Sequence, residues 1–223
     1  QELTILGVDI RLSAYVEAED VIAEQPDAVI IATGSTPRMD GLQVSRPERA
    51  VPGFDQSHVF SSHDLLFMSR ERLGSAALVF DDVGHYEAIA CAEYLIEQGV
   101  RVTFVTRHSS FAPHIEAMVR TGPALRRLRK GDFTLVTGGR LVSIGPDSSE
   151  IGYLDGEQTW HVPAETVVLV TYNEAQNGLF RDLGGGGERQ KCALHLVGDA
   201  NAPRDLLMAM REGHLAGREA VLF

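Results

Sequence analysis

Residues 74–106 constrain the fold more than any other stretch of this chain. Ala76 to Phe80 is an unbroken apolar run, the mark of a strand buried on both faces. Asp81-Asp82-Val83-Gly84 is a turn. His85 to Gln98 carries Ile89, Ala92 and Ile96 on one helical face, and Gly99 supplies a helix stop. Val100, Val102 and Phe104 then share one face of a second strand ending near Thr106. Strand, turn, helix, strand is a right-handed βαβ unit, and it requires a parallel sheet covered by helices.

The flanks extend the α/β pattern. Asp27 to Gly34 contains a second strand buried on both faces, ended by Gly34. Val8, Ile10 and Leu12 alternate as a short strand, and Val21-Ile22 is a candidate start of another. Residues 114–129 read as helical, with an interruption at Pro123. Phe133–Thr137, Leu141–Ile144, Ile151–Leu154 and, after the turn signal Asp155-Gly156, Gln158–Val162 read as a small antiparallel meander. Thr166–Thr171 and Leu194–Val197 are further buried strands, and Pro203–Val221 is a terminal helix with a stripe of Ala209, Gly213, Ala216 and Ala220. The glycine run 184–187 reads as a connector, because a phosphate loop follows a strand and opens a helix directly.

Charge and cysteine content exclude several functions. Thirty-one acidic residues against 20 basic ones leave −11 at pH 7, a poor balance for non-specific nucleic-acid binding. The basic cluster Arg126-Arg127-Leu128-Arg129-Lys130 reads first as a solvated helix end, where cations complement the helix dipole. No apolar run is long enough for a membrane span. Cys91 and Cys192 show no CxxC spacing and build no disulfide framework, so a reducing, cytoplasmic setting is expected. The eight histidines show no metal-ligand spacing, and GxSxG is absent. No metal site and no catalytic residue is therefore assigned.

Three groups of residues carry a family resemblance. Asp27-Ala-Val-Ile-Ile-Ala-Thr-Gly34, followed by Thr36-Pro37-Arg38, is similar to the DAVVVATGxxPR segment of two-dinucleotide-domain flavoproteins. Leu196-Val-Gly-Asp199-Ala-Asn-Ala-Pro203-Arg204, with Ala209-Met-Arg-Glu-Gly213 after it, resembles their C-terminal segment. Asp81-Asp-Val-Gly84-His-Tyr86 and Ala92-Glu-Tyr-Leu-Ile-Glu-Gln-Gly99 resemble the C-terminal half of the trimethylamine dehydrogenase and 2,4-dienoyl-CoA reductase group of NADH:flavin oxidoreductases.

The resemblance implies an incomplete Rossmann-like, three-layer FAD/NAD(P)-binding domain with a second nucleotide-binding-like domain inserted. Residues 1–74 and 185–223 would form the outer FAD- or ADP-binding-like domain, lacking its opening βαβ unit. Residues 75–184 would form the inserted NAD(P)-binding-like domain. A chain beginning at Gln1 is accordingly read as a piece of a longer protein. The group's N-terminal barrel, with its FMN and iron–sulfur cluster, lies outside the sequence, and four cysteines for a cluster are not present. That barrel and an electron-transfer protein are the implied partners.

Ala32, Thr33 and Gly34 sit where a strand meets its carboxyl-end loop, the edge at which open α/β sheets bind ligands. Gly198 and Asp199 follow a second strand. The resemblance implies that Asp199 accepts a hydrogen bond from the cofactor's ribityl chain and that the helix start near Arg204 faces the flavin. The competing reading is that Thr33 and Asp199 only satisfy turns or caps.

In the inserted domain the glycine fingerprint is degenerate. Only Gly84 lies in the turn, Val83 obstructs close backbone approach, and Asp81 and Asp82 place negative charge where phosphates would sit. Arg107 is a candidate contact for a 2′-phosphate or adenine, or a solvated loop cation. Strong NAD(P) binding is therefore not expected. The leading expectation is the nucleotide-binding portion of a flavin-dependent oxidoreductase without turnover of its own. The alternative is a non-catalytic scaffold or docking module for an electron-transfer partner.

Overall fold

Apolar runs flanked by turn residues pair in parallel because only then are both of their faces covered. In the computed structural model, which describes residues 2–184 and 192–220, Ala76–Asp81 is buried along its whole length. It pairs in parallel with Arg101–Thr106 on one side and with Thr166–Val170 on the other. Phe133–Val136 and Val59–Ser61 complete a five-stranded, all-parallel sheet as its edges.

The side chains of Ala76–Asp81 alternate between two apolar clusters. Ala77 and Val79 join Leu65, Leu95, Phe104, Ile115 and Leu128 on the helical face. Leu78 and Phe80 join Val105, Leu141, Ile151 and Val167 on the other face, which the antiparallel strands Gly139–Ile144, Ser148–Tyr153 and Thr159–Pro163 cover. Helices, parallel sheet and meander are thus three layers.

Helix Tyr86–Glu97 buries Ile89, Ala92 and Leu95, with Ile96 only partly covered. Phe133–Val136, read as part of the meander, instead adds an edge to the parallel sheet beside Arg101–Thr106. Pro123 does not interrupt a helix. It lies in the first turn of Thr121–Leu128, where the missing N–H is no loss, and a separate 3-10 turn spans Pro113–Met118.

The chain divides into two compact units, Pro37–Glu174 and the pair of segments Gln1–Thr36 and Ala175–Phe223. The boundary expected at 74/75 therefore lies at 36/37, and the one at 184/185 lies at 174/175. The physical reason is packing. Val59–Ser61 pairs with Thr166–Val170, and Leu65 and Leu73 are fully buried in the helical-face cluster, so residues 37–74 cannot be separated from the parallel sheet.

The smaller unit contains the parallel pair Ala28–Ile31 and Ala193–Leu196, with Ile31 opposite Leu196, and helix Leu206–Glu219. Asp205 caps that helix, its Oδ1 accepting from the Met208 amide at 2.8 Å. Two expected strands are absent. Val8, Ile10 and Leu12 have no strand partner among the described residues and are exposed, and a strand without a ladder is not stable. Val21-Ile22 lies in helix Ala18–Glu24, set by a reciprocal capping box between Glu17 and Asp20. Residues 185–187 of the glycine run lie outside the described residues.

Both apolar clusters belong to the larger unit, and Phe104 sits in the helical-face cluster between Phe111 and Phe133, at centroid distances of 5.3 and 6.1 Å. Phe104→Ala is expected to destabilise this unit by about 3–5 kcal/mol. Denaturant unfolding followed by the fluorescence of Trp160, the single tryptophan, checks this, because Trp160 packs on the meander side of the same unit.

Candidate functional site

The parallel pair of the smaller unit brings two strand ends together. Ile31 pairs with Leu196, and the Val197 amide donates to the Ile31 carbonyl at 3.0 Å, so both chains leave the sheet side by side. Each then turns at a glycine with positive φ, Gly34 at +78° and Gly198 at +63°. Nothing lies within 4 Å of a Cβ placed on Gly34, whereas one on Gly198 would meet the Ala209 Cβ at 3.3 Å. Gly34 therefore answers to backbone conformation alone, and Gly198 also to the close approach of helix Leu206–Glu219.

Asp199 ties the two loops together. Its Oδ2 accepts from Ser35 Oγ at 3.4 Å, and its Oδ1 accepts from the Arg204 amide at 3.2 Å. Ala32 and Thr33 are exposed, and Thr33 Oγ1 donates to the Gln176 carbonyl. Thr33 also lines an open cleft of about 740 Å³ with Tyr15, Val16, Glu17, Gln176 and Leu179. Thr33, Gly34, Gly198 and Asp199 are thus brought to one edge. Arg204 gives its amide to Asp199 and its side chain to Glu212. Its guanidinium pairs with Glu212, its Nε donates to the Ala202 carbonyl at 3.1 Å, and the other Glu212 oxygen accepts the Gly198 amide at 2.8 Å. These bonds, the one to Arg204 foremost, hold the Glu212 carboxyl below its usual range.

Ser35, Gln176 and Glu212 complete this edge and were not singled out from the sequence. Ser35 stands next to the Ala32–Gly34 motif and Glu212 within the terminal one, but no spacing rule joins Glu212 to Gly198.

The larger unit has its own strand end, and a carboxylate fills it. Asp81 and Asp82 are fully buried. Asp81 Oδ1 accepts from the Gly84 amide at 2.8 Å and the Val83 amide at 3.2 Å. These are the donors that a phosphate would need at this turn. Gly84 has φ +77°, and a Cβ there would stand 2.7 Å from His108 Nε2 and 3.0 Å from Pro113 Cδ, so the space beside the turn is also taken. His85, not Asp81, is the N-cap of helix Tyr86–Glu97, and its side chain makes no cap bond.

Asp82 Oδ2 accepts the Val44 amide at 2.6 Å, and Oδ1 pairs with Arg107 Nε at 2.9 Å. Arg107 also donates to the Asp82 carbonyl and to Tyr172 Oη. Its guanidinium thus has partners within the unit, a departure from the solvated-loop reading. His108 and His114, six apart in sequence, meet edge to face at 5.8 Å. Among the described residues no group of three His, Cys, Asp or Glu side chains could hold a metal ion, and no helix is long and apolar enough to cross a membrane.

The residues present fit the implied cofactors unequally. The edge at Thr33, Gly34 and Asp199 would offer a flavin or adenine nucleotide an open backbone turn and an acceptor carboxylate, whereas Gly198 is buried against helix Leu206–Glu219 with its amide bonded to Glu212. The Asp81 turn does not fit a dinucleotide, because its amide donors are already bonded. Two cysteines cannot ligate an iron–sulfur cluster that takes four.

Burial raises the Asp81 and Asp82 carboxyls above their usual range, against the lowering effect of the amides they accept. In the window between the unfolded value of 3.8 and the raised folded value, the folded state binds more protons than the unfolded state. Stability from Asp81 therefore rises as pH falls through that window and is flat below it. Asp81→Asn keeps the Oδ1 acceptor and removes this titration. The melting temperature of the wild type relative to Asp81→Asn is expected to rise as pH is lowered from neutral to about 4, read by Trp160 fluorescence.

No protein-family model matches the chain. It is 34% identical over 146 residues to a probable N-methylproline demethylase of Rhizobium meliloti, covering 66% of this chain and 20% of that protein. It is 31% identical over 217 residues to a bilirubin reductase of Mediterraneibacter gnavus, covering 96% of this chain and 31% of that protein. The structure of 6-hydroxypseudooxynicotine amine oxidase from Pseudomonas geniculata N1 superposes with a TM-score of 0.84 at 28% identity, over 94% of this chain and 31% of that one. The chain thus spans a third or less of the length of these relatives. By these matches the chain belongs to the trimethylamine dehydrogenase and 2,4-dienoyl-CoA reductase family of flavin-dependent oxidoreductases, of which it matches the C-terminal part.

Proposed function

We propose that this chain is the nucleotide-binding portion of a longer flavin-dependent oxidoreductase, in which the smaller unit contributes one edge of a FAD or ADP site. The larger unit is a scaffold that holds no dinucleotide. The observation that carries this reading is the contrast between two strand ends. One has Thr33 on an open cleft, open space at Gly34 and Asp199 bonded to the adjoining Ser35, and the other bonds its own turn amides to Asp81.

At the open edge, Gly34 lets the backbone lie close to a ligand, and the remaining lone pairs of the Asp199 carboxylate accept from a ligand hydroxyl. The Ser35 and Arg204 bonds hold that carboxylate in place. Thr33 and Tyr15 border the cleft beside it. A flavin bound there would supply the electron-carrying chemistry, and no residue of this chain is assigned a catalytic role. FMN and an iron–sulfur cluster would belong to the rest of the longer protein, with its barrel as the covalent partner and an electron-transfer protein as the external one. The chain by itself is not expected to turn over.

A second reading, a scaffold with no nucleotide affinity, is favoured by one observation. The Arg204 guanidinium is already paired, with Glu212.

Calorimetric titration of the chain with ADP, FAD, NADH and NADPH tests the proposal. Saturable ADP or FAD binding is expected, weakened about tenfold or more in Asp199→Ala by loss of hydrogen bonds to a charged group. NADH and NADPH are expected to give no heat of binding. Tight NADH binding overturns the reading of the Asp81 turn. Silence from all four ligands in a folded sample supports the scaffold.

A further inference from the structure

The cations of this chain are unevenly placed. Between Val119 and Gly131 there are five, Arg120, Arg126, Arg127, Arg129 and Lys130, and no acid. The rest of the chain then holds 15 basic residues (20 less these five) against 31 acidic ones. All five are exposed. Among the described residues only Arg127 of the five has an ion pair, with Glu93. Arg126, Arg129 and Lys130 follow i, i+3, i+4 spacing, away from the buried Ala124 and Leu128. The Arg126 guanidinium lies back over the first turn, 3.7 Å from a Cβ placed on Gly122, towards the end of the helix that Arg120 caps.

Helix energetics account for only part of this. Arg126, Arg129 and Lys130 complement the dipole at the C-terminal end. Arg120 is the N-cap of the same helix, where a cation is unfavourable, and no acid stands in the first turn to offset it. A second cost adjoins it. Val119 has φ +56°, a left-handed conformation that β-branched residues strongly disfavour, and it is 79% exposed. Met118 beside it is 57% exposed, its sulfur 3.8 Å from the Tyr86 hydroxyl. Arginine and methionine beside exposed apolar groups are the mixture enriched at protein interfaces.

We propose that Met118, Val119, Arg120, Arg126, Arg129 and Lys130 form a docking surface for a carboxylate-rich protein face that also carries apolar side chains. The apolar turn seats the partner's hydrophobic groups, and the unpaired cations steer and hold its carboxylates. A nucleic acid fits less well, because four free cations neutralise few phosphates and the rest of the chain repels them. The encounter is salt-sensitive, because these charges are exposed and the screening length is only about 8 Å at physiological ionic strength.

The test uses the full chain and two polymer probes, poly-L-glutamate and a random copolymer of glutamate and tyrosine, at low ionic strength. The copolymer is expected to bind saturably and more tightly than poly-L-glutamate, and to be released by salt. Arg126→Gln with Arg129→Gln is expected to weaken it about tenfold, while Arg101→Gln, which removes an exposed cation elsewhere on the same unit, leaves it unchanged. Val119→Gly relieves the left-handed strain, so it should melt at or above the wild-type temperature yet lose the preference for the copolymer. Absence of binding by the folded chain overturns the proposal. So does equal weakening by Arg101→Gln, or tighter binding to duplex DNA or anionic vesicles.

Discussion

Asp81 ends the most buried strand of the molecule and bends its carboxylate back onto the amides of Val83 and Gly84. Much of the larger unit is arranged around that contact. Gly84 adopts a positive φ under it, His108 and Pro113 close over the glycine, and the Gly84 carbonyl receives the His114 amide. The neighbouring Asp82 reaches the Val44 amide and Arg107, tying the 42–46 segment and the loop after Arg101–Thr106 to the same strand end. A buried carboxylate costs desolvation energy, and here several donors share in offsetting it.

An anion at the carboxyl end of a parallel strand is the usual role of a bound phosphate in this architecture. Once the chain supplies that anion itself, the turn is complete without a ligand, and a phosphate would meet both charge repulsion and a shortage of free donors. The smaller unit is arranged differently: its Gly198 amide is bonded to the Glu212 carboxylate on the terminal helix. Among the described residues Asp199 accepts from Ser35 and the Arg204 amide, at 3.2–3.4 Å, and the glycine turn at Gly34 faces free space.

The legibility of this arrangement in the sequence varies with the range of the interaction involved. Ala76–Asp81 and Thr166–Val170 were readable because burial on both faces demands apolar runs, whereas Ala28–Ile31, read the same way, is a strand that leaves Ile30 41% exposed and only Ile31 buried. The two strand-end turns were readable because glycine and aspartate mark them. Val8, Ile10 and Leu12 alternate correctly for a strand, yet pairing depends on a partner that alternation does not encode. The boundary at 36/37 was hidden for the same reason, since Val59–Ser61 joins its sheet through a partner more than a hundred residues away. At the sites, the direction of Asp81 onto its own turn, the Arg107–Asp82 pair and the Arg204–Glu212 pair are tertiary choices. Residue type alone allowed each of these side chains to face a ligand instead.

The central claim is that the Val83 and Gly84 amides are bonded to Asp81 before any nucleotide arrives. Amide hydrogen exchange, resolved by residue with NMR, measures this directly. The account predicts slow exchange of both amides in the ligand-free chain and no change on adding NADH. Rapid exchange that becomes slow only when NADH is added would contradict it.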